Sequence, residues 1–269
     1  MDRFLDTSSS EQLLEAMESN MVAFWSPYGS AKGNELHVEK NLVWFYTGVP
    51  FALFNGVLFA QLEEKNVLST IEILGKFIGN RGAPALWWLG PRSKPDNLRT
   101  LLEQKQLKAV GDVTGMAINL DQIRTRADAV PGLAVTKVGN KEEQALWARI
   151  AAEGTGFSES ATAAFIELET SLSKKQYQNQ KRYIGYLNGE PVASSAMTLD
   201  SGVAGIYAVS TLPEARRKGI GAVMTAIPLF EAREQGYHVG ILQASSMGLP
   251  VYKKMGFKEV CRYQLYLQS

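Results

Sequence analysis

The sequence is poor in the side chains that bind metals or form disulfides. Among its 269 residues are one cysteine, Cys261, and two histidines, His37 and His238. A single cysteine excludes an internal disulfide, and so few thiols and imidazoles exclude a structural zinc site. We therefore expect no metal and a reducing, cytoplasmic environment.

The sequence also lacks an excess of charge of either sign. Its 28 Lys and Arg residues oppose 27 Asp and Glu residues, for a net charge of +1. Binding of nucleic acid through bulk electrostatics requires a strongly basic surface. We therefore expect no nucleic-acid partner, and any basic site must be local.

Segments for export or membrane insertion are missing as well. The first residues lack the basic-then-apolar order of a secretory signal and instead predict a capped helix that starts at residues 8–10. One uncharged run of 22 residues, 41–62, has the length of a membrane span. A glycine, a proline and the Asn55-Gly56 pair interrupt this run, so it predicts two buried strands joined by turns and no membrane partner.

The sequence pattern divides the chain into two halves whose last segments are similar. Residues 121–132 break all periodicity and predict a linker between one domain at 1–120 and another at 133–269. The second domain reads β-α-α-β-β-β-α-β-α-β, an α/β order that predicts a mixed sheet flanked by helices. Residues 99–110 and 249–260 align without gaps as helix, turn and strand, which suggests an old duplication.

A basic, glycine-containing turn precedes one amphipathic helix of the second half. In "ARRKGIGAVM", the cations Arg216, Arg217 and Lys218 stand before Gly219 and Gly221. The first N–H groups of a helix have no internal partner and lie at the positive end of its dipole. Glycine lets an anion approach them closely. The turn therefore predicts an anion site, although an isolated Gly-x-Gly more often merely starts a helix.

Two motifs in this half resemble one family. "VSTLPEARRKGIGAVM" resembles the acyl-coenzyme A signature of the GNAT N-acetyltransferase superfamily, Arg/Gln-x-x-Gly-x-Gly/Ala after a strand. "PVYKKMGF" resembles the later helix of the same superfamily, with Tyr252 in the place of its usual tyrosine. The resemblance covers residues 133–269. The first half lacks the glycine turn, has Leu102 in place of the tyrosine, and is similar to the degenerate domain of tandem members.

The resemblance implies an acetyl-coenzyme A-dependent N-acetyltransferase with tandem domains, each a mostly antiparallel sheet. An amine of a small molecule would attack the thioester directly in a ternary complex, and the protein would be a monomer or homodimer. The Val209 N–H would stabilise the oxyanion, from a strand opened by a bulge, and Tyr252 would protonate the leaving thiolate. The resemblance implies that the coenzyme contacts Val209, Ser210, Thr211, Arg216, Arg217, Lys218, Gly219, Ile220, Gly221, Ala222, Ser245 and Tyr252.

The general base is not fixed by these motifs. Glu153 and Glu159 flank a glycine-containing connection between two helices that usually shape the acceptor pocket, which makes them the first candidates. The alternative is that both residues have no catalytic role and only place a charge at a helix end. Two other functions stay open: an acyl-coenzyme A sensor without catalysis, and acyl transfer from another donor.

Overall fold

The computed structural model describes residues 10–268, which form seven helices and eleven strands. The helices are α1 Ser10–Gly29, α2 Val67–Gly79, α3 Leu98–Gln104, α4 Lys141–Thr155, α5 Glu159–Ser171, α6 Ile220–Glu234 and α7 Leu249–Met255. The strands are β1 Glu35–Val38, β2 Leu42–Tyr46, β3 Asn55–Ala60, β4 Ala85–Leu89, β5 Lys108–Asn119, β6 Leu133–Lys137, β7 Gln180–Leu187, β8 Glu190–Asp200, β9 Val203–Thr211, β10 Val239–Ala244 and β11 Lys258–Gln268. From β6 onward the element order is the predicted one, whereas β1 was not predicted.

All of these strands belong to one sheet. Its order is β1-β2-β3-β4-β11-β5-β10-β9-β8-β7-β6, and most neighbours are antiparallel. The parallel pairs are β3 with β4 and β9 with β10, and each pair is joined by a crossover that contains a helix, α2 or α6. The molecule is therefore a mixed α/β protein with a mostly antiparallel sheet flanked by helices.

The two halves of the chain exchange their last strands. Strand β5 leaves the first half and pairs with β10, while β11 leaves the second half and pairs with β4. The two exchanged strands also pair with each other. Each half therefore covers the sheet edge of the other, which removes an exposed edge in the middle of the molecule. Strands β1–β5 and β7–β11 have the same order apart from the exchanged last strands, as a duplication requires, whereas β6 has no counterpart in the first half. The domain boundary at 121–132 stays a prediction.

The uncharged run at residues 41–62 forms strands β2 and β3, which pair antiparallel as predicted. Asn55 and Gly56 begin β3, however, and are not in a turn. The buried Asn55 side chain accepts hydrogen bonds from the Thr47 and Gly48 N–H groups and so organises the preceding loop. None of the helices within residues 10–268 is long and apolar enough to cross a membrane. The predicted cap at residues 8–9 lies outside the described residues.

The hairpins of the second half follow the predicted turn chemistry. Asn188 and Gly189 join β7 to β8 with φ of 53° and 91°, and Ser201 and Gly202 join β8 to β9 with φ of 52° and 75°. Positive φ at both central residues is typical of the tight turns that match the twist of antiparallel strands. The second of these turns fixes the register of β8 against β9, on which the site depends.

Helix α1 ties the first half to the second through a buried amide. The Asn20 Nδ2 donates to the carbonyl oxygens of Thr198, Asp200 and Val203 at 3.1, 3.0 and 3.3 Å. The Tyr207 hydroxyl donates to the Asn20 Oδ1 at 2.8 Å. Because this amide is fully buried and bonded on both ends, it fixes helix α1 over strands β8 and β9.

Glu18, on the same helix, makes the stability of the fold depend on pH. Burial raises the pKa of Glu18 from 4.5 to about 7, against the opposing charge of Arg92. Between these values the folded chain holds a proton that the unfolded chain releases, so rising pH costs stability. We expect the free energy of unfolding to fall by about 3 kcal/mol from this group as pH rises through this window. Urea unfolding at pH 5 and pH 8 measures the difference.

Two variants isolate this contribution. Glu18→Gln cannot titrate, so its free energy of unfolding should lose this part of the pH dependence. Glu15→Gln is the matched control, because Glu15 lies on the same helix and also approaches Arg92, at 3.7 Å, but has an exposed side chain. An equal pH dependence in wild type and Glu18→Gln would contradict the assignment.

Candidate active site

The connection between β9 and α6 presents free main-chain N–H groups. Helix α6 begins after Gly219, which has a left-handed backbone with φ of 84° and ψ of 0°. Among the described residues, none accepts a hydrogen bond from the main-chain N–H groups of 217–221. Ala222 and Val223 instead donate to the Gly219 carbonyl at 3.1 and 3.4 Å. The turn therefore has the free donors of an anion site, and the Ala222 N–H is not one of them, while the predicted contact of Ala222 with the coenzyme stays a prediction.

The cations of the turn have different surroundings. The Arg216 guanidinium donates to the carbonyl oxygens of Thr211 at 3.0 Å and Gly154 at 2.8 Å, which ties the turn to β9 and α4. These bonds hold the Arg216 side chain in place, and Arg216 also lines the groove described next, so its predicted contact with the coenzyme stays a prediction. Arg217 and Lys218 are exposed, and of these two only Arg217 lines the groove described next.

A groove of about 850 Å³ runs from this turn to helix α7. Its charged lining residues are all cations, Arg216, Arg217 and Lys254. The predicted coenzyme-binding residues on this wall are Val209, Ser210, Thr211, Arg216, Arg217, Gly219, Ile220, Gly221, Ala222, Ser245 and Tyr252. The groove thus brings together all of the predicted set except Lys218, and its charge suits an anionic ligand.

Gly154, which the sequence analysis did not single out, completes this wall. A Cβ at Gly154 would lie 2.0 Å from the Ser210 Oγ and 3.2 Å from the Thr211 carbonyl oxygen. Only glycine fits here, because helix α4 packs directly against the end of β9. A glycine inside the last turn of a predicted helix was the signal in the sequence.

Strand β9 contains the predicted bulge. The β8–β9 register passes from Ser194↔Ser210 to Ala196↔Tyr207, so Ala208 and Val209 have no partner residues on β8. Ala208 has a left-handed backbone, with φ of 48°. The pairing of β10 with β9 ends at Ile206, so the two strands separate before Val209. Val209 therefore lies in an opening of the sheet, as the oxyanion role requires.

Tyr252 faces this opening from helix α7. Burial raises the pKa of Tyr252 to about 12, against a smaller opposing contribution from a hydrogen bond with Thr225. Its phenol is therefore protonated at neutral pH. The Ser245 Oγ accepts from the Gly248 N–H at 3.3 Å, which is the capping role expected for a serine before this helix.

A second cavity, of about 230 Å³, lies in the opening between β9 and β10. The groove and this cavity meet at three shared lining residues, Val209, Ser245 and Tyr252. Both halves of the chain contribute its aromatic walls: Phe24, Trp25, Tyr28, Phe54 and Trp88 from the first, and Trp147, Phe157, Phe165, Tyr207 and Tyr252 from the second. Sequence analysis found none of the first-half residues.

The two predicted general bases lie elsewhere. Glu153 and Glu159 are exposed, and neither lines the groove or the cavity. Glu153 is in the last turns of α4 and points outward, while Glu159 begins α5 behind its cap Ser158, whose Oγ accepts from the Ala161 N–H at 3.2 Å. Glu159 is favourably placed for its charge at the N-terminus of α5, whereas Glu153 is at the C-terminal end of α4, where the helix dipole does not favour a carboxylate, and is simply exposed to solvent.

Comparison with known proteins shows which family and which fold the chain is similar to. Residues 147–265 match the family described as acetyltransferase (GNAT) domain. The chain is similar in fold to a GCN5-related N-acetyltransferase from Kribbella flavida (TM-score 0.64, 18% identity, 93% of this chain and 95% of that one). It is also similar to one from Sphaerobacter thermophilus (TM-score 0.60, 15% identity, 99% and 96%).

A third similar structure has two such domains. The tandem GNAT protein from the clavulanic acid biosynthesis pathway aligns with a TM-score of 0.58 and 12% identity over 97% of this chain and 95% of that one. No curated protein sequence matches the chain. Residues 147–265 thus match the GNAT acetyltransferase domain family, and the described fold is similar to that of tandem GNAT proteins.

Proposed function

We propose that the protein transfers an acetyl group from acetyl-coenzyme A to the amine of a small molecule. The observation that carries the proposal is the meeting of a cationic groove and an aromatic cavity at Val209, Ser245 and Tyr252. The groove suits the phosphates of the donor and the cavity suits an acceptor. The shared residues are where a thioester and an amine would meet.

Each reaction step has a residue with the required chemistry. The free N–H groups of residues 217–221 would hold the pyrophosphate, with Arg217 adding charge. As the amine attacks the thioester carbon, the Val209 N–H would stabilise the oxyanion. When the carbon–sulfur bond breaks, the protonated phenol of Tyr252 would donate its proton to the thiolate. The attacking nitrogen would lose one proton and Tyr252 would regain one, so that the products are an amide and free coenzyme A.

Binding and thiol release test the proposal together. We expect calorimetry to show that acetyl-coenzyme A binds, and a thiol reagent to detect coenzyme A release when an accepted amine is added. Binding without thiol release from any amine would favour the sensor function instead. Faster release from a longer acyl thioester would favour another donor. Absence of coenzyme A binding would overturn the proposal.

A further inference from the structure

The cavity behind Tyr252 is built to hold a flat, uncharged ring. It has about 230 Å³, whereas a cavity of about 150 Å³ already binds benzene. Ring faces from both halves line it, and Phe24 stacks on Tyr207 with ring centroids 4.1 Å apart and planes within 6°. A single substituted ring fits this volume and these walls.

Three of the lining aromatic side chains have their polar ends bonded to protein groups, whereas the buried Gln243 Nε2 is a donor that has no partner among the described residues. The Tyr28 hydroxyl donates to the Glu169 Oε2 at 2.9 Å, and the Tyr207 hydroxyl donates to Asn20. The Trp147 Nε1 donates to the Ser195 carbonyl at 2.9 Å. These aromatic residues therefore offer a ligand their apolar surfaces.

The charge pattern around the site opposes a cationic acceptor. Among the described residues, no carboxylate lines the cavity or the groove. An ammonium entering the cavity would lose its water without gaining a counter-charge, which is costly. An amine that is already neutral meets no such cost and needs no base to deprotonate it before attack.

We infer that, given the proposed acetyl transfer, the acceptor is an aromatic amine that is neutral at pH 7. In such a molecule the ring lies in the aromatic cavity and the amino group points toward Tyr252 and Val209. The amine nitrogen attacks the thioester carbon, and the cationic nitrogen of the tetrahedral intermediate loses its proton to solvent. The carbon–sulfur bond then breaks, the thiolate takes a proton from Tyr252, and Tyr252 regains one from solvent. This substrate class explains why neither Glu153 nor Glu159 is placed at the site.

Aniline and benzylamine form a matched pair that tests the inference. They differ by one methylene, but an alkylamine with a pKa near that of lysine, about 10, is neutral in roughly one molecule per thousand at pH 7. We expect kcat/KM at pH 7 to be higher for aniline by about tenfold or more. Between pH 7 and 9 it should stay level for aniline and rise about tenfold per pH unit for benzylamine.

The protein's own groups should not confuse this pH profile. The titratable lining residues of the cavity are Tyr28, Tyr207 and Tyr252, and burial raises the pKa of each of them. All three stay protonated from pH 7 to 9. A level profile for benzylamine would reveal a base in the protein and overturn the inference.

Charge introduced at the cavity mouth gives a second test. Thr155 lines the cavity from the exposed end of α4, where a longer side chain is tolerated. Thr155→Glu would supply the missing counter-charge and should raise the kcat/KM ratio of benzylamine to aniline by about tenfold. Thr155→Gln, of equal size without charge, should keep the wild-type ratio. Equal ratios in both variants would count against the inference.

Binding without turnover separates this inference from the proposed acetyl transfer. Trp25, Trp88 and Trp147 line the cavity, so toluene, which cannot react, should change the tryptophan fluorescence when it binds. If coenzyme A binds and amines release thiol but neither toluene nor aniline binds, the acceptor class is wrong and the acetyl transfer stands. If hexanoyl-coenzyme A reacts faster than acetyl-coenzyme A and aromatic compounds do not bind, the cavity holds an acyl chain instead. If coenzyme A itself does not bind, the acetyl transfer fails first.

Discussion

The Gly221→Val variant is expected to lose affinity for coenzyme A by about 100-fold, or about 3 kcal/mol. Gly221 lines the groove, and a Cβ there would have only the Val209 Cγ1 nearby, at 3.9 Å. A valine side chain would therefore occupy the space in which a phosphate approaches the free N–H groups of residues 217–221. Each hydrogen bond to a charged group contributes about 1.5–3 kcal/mol, so the loss of two such bonds accounts for a loss of affinity of this size. Calorimetric titration with coenzyme A measures it.

The fold should survive this substitution. Gly221 lies in the first turn of α6 with an ordinary backbone, and valine has a higher helix propensity than glycine. Gly79→Val is the matched control, because Gly79 is exposed at the end of α2 and a Cβ there meets no atom within 4 Å. The control should bind coenzyme A like wild type. Unchanged affinity in Gly221→Val would remove the groove from coenzyme binding.

The groove was predictable because its chemistry is local in sequence. A helix leaves its first N–H groups free whatever surrounds it, and Gly219 and Gly221 mark the place where that happens. The hairpin turns at Asn188-Gly189 and Ser201-Gly202 are equally local, and the second of them sets the register in which β9 bulges at Ala208. Short-range rules therefore sufficed for the half of the site that faces the donor.

The acceptor cavity was not predictable because it depends on contacts distant in sequence. Trp25 and Trp88 reach it only because α1 packs on β8 and β9 and because β11 inserts beside β4. The hydrophobic periodicity of the first half indicates neither the packing of α1 nor the position of β11. The same limit applies to Arg216, whose motif predicts a ligand contact while its bonds to Thr211 and Gly154 come from the packing of α4.

Tyr252 is the residue on which the proposed chemistry most depends. Its counterpart in the first half, Leu102, is fully buried in an apolar core, so a hydrophobic side chain suffices for folding at this place in the repeat. Tyr252 instead lines both the groove and the cavity and is partly exposed. Its ring packs near Phe257, with centroids 5.8 Å apart, and a phenylalanine would keep that contact.

Tyr252→Phe should therefore lower kcat by about 10- to 1000-fold, because a leaving thiolate would lose its proton donor. Coenzyme affinity should hardly change, since the N–H groups that hold the phosphates are untouched. Tyr186→Phe is the control, because Tyr186 lies on β7 and lines neither the groove nor the cavity. Steady-state kinetics with calorimetry separates the two effects. A kcat equal to that of wild type would leave Tyr252 a packing residue, and the thiolate would then have to take its proton from water.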